Sequence, residues 1–223
     1  MMNKSVKLGI QGRPDVPPRL FDLVPRYIEK YGYKDCLFAG KVNKQWVKYD
    51  GKKFYEITNS ISYGLLKLGV KKGDRIALIA NNAPEWNMID FAIQQVGAIC
   101  IPIYPTISHD DYKYIFNHSE ASIAFFTNKH LYSKVADIIA DIPTIKETYL
   151  IRASEDMKSL QDLIDLGNEN KDVDTLEARM AEVKNEDVAT IIYTSGTTGT
   201  PKGVMLTHRN ILSIVEYLCP LYP

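Results

Sequence analysis

Val188-Ala-Thr-Ile-Ile192-Tyr-Thr-Ser-Gly-Thr-Thr-Gly-Thr-Pro-Lys202-Gly203 is the stretch whose reading decides the fold. Val188 to Ile192 is a short apolar run of the kind that forms a buried strand. Val204 to Leu218 reads as a helix, with Thr207 as its N-cap. Strand, Gly/Ser/Thr loop and helix together present backbone N–H groups and hydroxyls to an anion. Gly196, Gly199 and Gly203 permit close backbone approach, while Thr194, Ser195, Thr197, Thr198 and Thr200 add hydroxyl donors. Lys202 adds a positive charge on a long stem. A Walker A loop is excluded: counted from Gly196, Pro201 stands where its second glycine belongs and Gly203 where its Ser/Thr belongs. Composition alone also fits a flexible linker. Placement between a strand and a helical pattern favours the anion loop.

Working outward, strands are expected at Arg75–Ala80, Ala98–Tyr104, Ser122–Phe126, Ile145–Ile151 and Val188–Tyr193. Helical patterns lie between them: from the Asn82 cap to about Val96, Asp110–Ser119 capped by Ser108, Lys129–Ala140, Met157–Leu166 and Thr175–Val183. Such alternation implies parallel β-α-β units, and hence an α/β fold whose mainly parallel sheet is covered by helices. Before this layer come a helix over Leu20–Tyr31 interrupted by Pro25, a hairpin over Leu37–Tyr49 and an amphipathic helix over Phe54–Val70. Residues 1–18 are polar and proline-bearing, and read as an extended arm. Asn168–Asp187 is acidic and reads as a surface excursion.

The chain has 223 residues, and its 27 basic residues balance its 27 acidic ones. No global field attracts nucleic acid, so a nucleic-acid role is not expected. Cys36, Cys100 and Cys219 are odd in number and widely spaced, which excludes a disulfide framework and gives no zinc spacing. No apolar run reaches the roughly 20 residues of a membrane span. The expected setting is cytoplasmic, with peripheral membrane contact left open. His109, His118, His130 and His208 sit in no acid or nucleophile pattern and receive no role. Trp86 and Phe91 are expected in the core, and Asp110-Asp111 suits a helix N-terminus.

Tyr193–Gly203 resembles the signature loop of the AMP-forming acyl-CoA synthetase, luciferase and adenylation-domain superfamily. The likeness extends through Trp46–Glu56, Leu66–Leu78, Asn81–Trp86 and Gly97–Thr106 in the expected order, covering roughly residues 19–220. Ile103-Tyr104-Pro105-Thr106 and the Thr197-Thr198 pair are most similar to long-chain fatty acid–CoA ligases. The resemblance implies that Thr194, Ser195, Gly196, Thr197, Thr198, Gly199 and Lys202 grip ATP phosphates, with Thr198 a candidate Mg²⁺ ligand. It implies a fatty acid, ATP and coenzyme A as substrates, with acyl-AMP formed before acyl-CoA. Activation of aryl, short-chain acyl or amino acids is the alternative within the superfamily. A non-catalytic short form acting as a binding module is the alternative outside it. The family's downstream magnesium-holding Glu, ribose-binding Asp and C-terminal lid domain have no counterpart before Pro223. Residues 19–223 are therefore expected to form an incomplete large domain, inactive alone and able to self-associate through surface left uncovered.

Overall fold

Alternating residues of the central strands divide cleanly between two apolar layers. On β3 (Arg75–Ile79), Ile76 and Leu78 belong to one core and Ala77 and Ile79 to the other, all fully buried. This period-of-two split, apolar on both faces, is what a parallel sheet sandwiched by helices requires. The structure is a computed structural model that describes residues 17–42, 44–195 and 199–218. The arm expected over residues 1–18 lies outside the described residues except for its last two.

A six-stranded sheet runs in the order β6-β5-β3-β4-β7-β8, with β4 Ile99–Pro102, β5 Ile123–Phe126, β6 Glu147–Leu150, β7 Val188–Thr194 and β8 Lys202–Thr207. The first five strands are mutually parallel; β8 pairs antiparallel with β7. One face is covered by α2 (Gly51–Lys67), α3 (Pro84–Gln95), α7 (Leu160–Glu169) and α8 (Val173–Glu182). The other is covered by α4 (His109–Ser119), α5 (Lys129–Ser133) and α6 (Ala136–Asp141). The chain steps from β3 to β4 in one direction and returns to place β5 on the far side of β3. That reversal opens a crevice at the carboxyl ends of β3 and β4, where open α/β sheets characteristically hold ligands.

A 3-10 turn (Leu20–Asp22) and α1 (Leu23–Tyr31) precede a separate hairpin of β1 (Phe38–Val42) and β2 (Gln45–Tyr49). The expected hairpin and the five parallel strands are thus present. The helix expected to begin near Phe54 starts at Gly51, because the Asp50 carboxylate caps it by accepting from the Lys53 N–H at 2.8 Å. Helices α2 and α7 touch backbone to backbone, so a Cβ on Gly167 would collide with the Ser60 carbonyl.

Four expectations are corrected. The start of the helix expected from Val204 is strand, part of β8: after Gly199 (φ +86°) and Pro201 the chain doubles back and Val204, Met205 and Leu206 pair with β7. The helix α9 (His208–Leu218) starts only there, where Thr207 and Asn210 exchange reciprocal N–H bonds of 3.0 and 3.1 Å. Thr207 is its cap, as expected. Lys129–Ala140 is two helices, because Val135 leaves helical geometry (φ −134°, ψ 12°) and turns into the core. Ala83, not Asn82, caps α3, since Pro84 forces an extended residue before it (φ −158°, ψ 157°). Trp86 and Phe91 are half-buried and pack against the core rather than within it.

Two buried ionisable groups give the fold opposing pH dependence. His208, 2% exposed, accepts the Leu20 N–H at Nδ1 (3.2 Å) and ties α9 to the N-terminal turn. Burial lowers its pKa from 6.5 to about 4, against the partial opposition of Asp187. Asp90 is partly exposed as a residue, but its carboxyl group is enclosed against Gln94 and the Cys100 thiol, and burial raises it from 3.8 to about 6. As pH falls from 6.5 towards 4, unfolded chains protonate His208 and folded ones do not, so this group withdraws stability. Between pH 6 and 3.8 the folded state protonates Asp90 first, so that group returns it. His208→Gln should therefore gain roughly 2–3 kcal/mol relative to the parent between pH 7 and 4.5, and Asp90→Asn should lose a similar amount relative to it. Urea unfolding across that range reads both; differences independent of pH would contradict the assignment.

Candidate functional site

The carboxyl ends of β3 and β4 border a cavity of about 560 Å³. Asn81, Asn82 and Trp86, which follow β3, form one wall, and Tyr104, Pro105 and Thr106, which follow β4, form the other. Ile192 of β7 closes the side nearest the glycine-rich loop. Tyr104 is 71% exposed and lines the cavity rim. The strand reading missed this wall. Its signal was the pair of polar or proline-rich turns after consecutive strands, which become neighbours only once the strand order is known.

The loop is the tip of the β7–β8 hairpin, with Thr194 registered opposite Lys202 and Tyr193 opposite Gly203. Thr194, Ser195, Gly199, Thr200 and Lys202 are all exposed at this tip. Lys202 makes no ion pair with any described residue. Gly196, Thr197 and Thr198, including the candidate Mg²⁺ ligand, lie outside the described residues. Because α9 starts beyond β8, its dipole does not point at the loop, contrary to the strand–loop–helix expectation. Without a helix dipole, the groups the tip can offer an anion are backbone N–H groups, hydroxyls and the Lys202 ammonium.

The two stems below the tip are locked by one aromatic ring. A Cβ on Gly203 would lie 3.3 Å from the Tyr193 ring and 2.9 Å from Ile191, so only glycine fits beneath Tyr193. From α4, His118 Nδ1 lies 2.7 Å from the Tyr193 hydroxyl, and the two rings meet edge to face at 5.7 Å. Tyr114 stacks on His118 at 5.3 Å. Burial, aided by Tyr114, raises the Tyr193 phenol above its ordinary value and keeps it a neutral hydrogen-bonding group. The other histidines serve elsewhere: His109 bonds Asp137 at 2.9 Å, and His130 is exposed. Among the described residues, no group of three or more His, Cys, Asp or Glu could hold a metal ion.

Behind the cavity wall, Arg152 grips the buried Glu85 carboxylate with bonds of 2.7 and 3.3 Å. Glu85 precedes Trp86, and Arg152 follows β6, so the pair fixes the entrance of α3 to the far side of the sheet. Tyr49 completes the group; burial and then the Glu85 charge raise its phenol above the ordinary range.

Comparisons with known proteins agree with this arrangement. The family model described as AMP-binding enzyme matches residues 25–221. A long-chain-fatty-acid–CoA ligase of Mycobacterium bovis is 38% identical over 153 residues, 69% of this chain and 25% of that protein. A long-chain-fatty-acid–CoA ligase of Xenopus laevis is 30% identical over 219 residues, 94% of this chain and 29% of that one. The chain thus spans about a quarter to a third of these relatives' length. The crystal structure of a long-chain-fatty-acid–CoA ligase from Archaeoglobus fulgidus superposes with a TM-score of 0.74 at 27% identity, covering 92% of this chain and 40% of that one.

Removing Arg152 strands a carboxylate that is largely out of water, which is costlier than losing an exposed pair. Discounted for the partial exposure of Arg152, Arg152→Ala should cost about 1–3 kcal/mol in urea unfolding at pH 7. Glu85→Gln, which leaves no buried charge, should cost less. Equal losses for the two variants would contradict a charge-based clamp.

Proposed function

The chain belongs to the AMP-binding enzyme family, and from that premise we propose that it serves ATP-dependent activation of a long-chain fatty acid. A carboxylate oxygen attacks the α-phosphorus of ATP, the bond to pyrophosphate breaks, and acyl-AMP forms. The coenzyme A thiol then attacks the acyl carbon and AMP leaves. The observation that carries this reading is the placement of the hairpin tip, with its exposed hydroxyls and Lys202, beside the cavity at the sheet's carboxyl ends.

In this reading the chain's own residues position and neutralise. Lys202, Thr194, Ser195 and the N–H groups from Gly196 to Gly199 surround the β- and γ-phosphates and spread their charge, so that an anionic carboxylate can approach. Tyr193, held by His118 over Gly203, keeps the two stems from splaying under that load. The tip supplies neutral hydroxyl oxygens rather than a carboxylate cluster. That donor set fits a Mg²⁺ ion carried largely by the phosphates, with Thr198 completing its shell. When bound, the ion would add charge neutralisation at the triphosphate. The setting is cytoplasmic, where ATP and coenzyme A are available. Self-association would use the outer edge of β8, which has no partner strand among the described residues and where Val204 and Met205 are exposed.

Calorimetric titration with MgATP tests the loop. Lys202→Ala should weaken binding about ten- to hundredfold, the range expected for a charge-assisted bond to phosphate, and Lys202→Arg should retain part of it. Equal affinity in the parent and Lys202→Ala, or no binding by the parent, would overturn the assignment.

A further inference from the structure

We infer that the β1–β2 hairpin and the segment entering it dock this protein on an anionic lipid bilayer. Residues directly opposite in an antiparallel pair share a face. With Lys41 opposite Trp46 and Ala39 opposite Lys48, these four form one side of the ribbon, and all four are exposed. The other side is packed. Phe38 stacks on Phe54 of α2 at 4.5 Å, and Gly40 closes on Pro84 at the start of α3.

The outward face carries the chemistry of a membrane interface. Trp46 is 64% exposed, with the Lys41 ammonium 5.0 Å from its ring centre. Tyr31, the last residue of α1, and Tyr33, on the connection from α1 to β1, are 52% and 67% exposed. Residues 30–48 hold five lysines against one acid, Asp35, a net of +4 in a chain whose total is zero. Amphipathic rings favour the headgroup layer, lysines are drawn to anionic headgroups, and lysine stems extend along apolar surface with their charge in water. The same stretch contains no arginine, the side chain that dominates bidentate phosphate recognition in nucleic acids. The choice of a bilayer over other polyanions rests on the proposed fatty acid substrate, which partitions into membranes.

Placement strengthens the assignment. The hairpin rides on Pro84, at the carboxyl end of β3 and next to the cavity wall at Trp86. A protein docked by this face would hold its cavity near the lipid that supplies its substrate.

The test is co-flotation with vesicles of phosphatidylcholine mixed with phosphatidylglycerol, against phosphatidylcholine alone, at low and physiological salt. The expected result is binding to the anionic vesicles only, weakened by salt, and about ten- to thirtyfold weaker for the double variant Lys41→Gln/Lys48→Gln. Emission should shift to the blue on binding and lose that shift in Trp46→Phe. All three positions are exposed, and circular dichroism checks that the variants stay folded. No binding to anionic vesicles at low salt, equal binding by the double variant, tighter binding to a single-stranded oligonucleotide, or shielding of Trp46 by dimerisation without lipid would each overturn the proposal. Vesicle binding is read separately from MgATP binding, so failure of the loop assignment and failure of the docking surface remain distinguishable.

Discussion

The pairing of β7 with β4, registered at Cys100 opposite Thr190, sets where the rest of the molecule can act. The Thr190 hydroxyl reinforces it by donating to the Cys100 carbonyl at 2.9 Å inside the core. This contact joins the glycine-rich hairpin to the parallel sheet and fixes it next to the strand whose carboxyl end borders the cavity. Were β7 to pair elsewhere, the loop would keep its hydroxyls and its lysine but face no crevice. Its chemistry is local, while its usefulness comes from a hydrogen-bonded register with residues 90 positions earlier.

Around that pairing, the structure divides labour between a rigid stem and an exposed tip. Tyr193, Gly203 and His118 interlock below the loop, so the tip inherits a defined direction without being buried itself. Glu85 and Arg152 do the same for the other wall, holding the start of α3 where Trp86 meets the cavity. Both devices use an aromatic or charged group from a distant element, and neither consumes the loop's own donors. Those donors therefore remain available to a ligand, as the proposed anion site, with no helix dipole behind it, requires.

Local pattern exposed much of this architecture in the sequence. The strand cores at Ile76–Ile79, Ile99–Ile101, Ile123–Phe126 and Val188–Ile192 read correctly because apolar runs bounded by turns leave little choice. Ser108 and Thr207 were legible caps because side-chain capping is decided by neighbours within three residues. Val204–Leu206 misled for the same physical reason that short apolar runs often do. Three residues fit a helix or a strand equally, and only pairing with β7 decides. Asn82 misled because Pro84 imposes extended backbone on Ala83 and moves the cap by one residue. The cavity wall and the His118–Tyr193 contact were beyond reach, since both depend on strand order and on elements far apart in the chain.

The central claim is that the hairpin tip is a triphosphate site facing the switch-point cavity. Backbone amide resonances followed during addition of MgATP address it most directly. The account predicts that the largest shifts fall on Ser195 to Lys202, with smaller ones at Asn81, Trp86 and Tyr104 across the cavity. Shifts concentrated on the α7–α8 side of the sheet, with the tip unmoved, would contradict it.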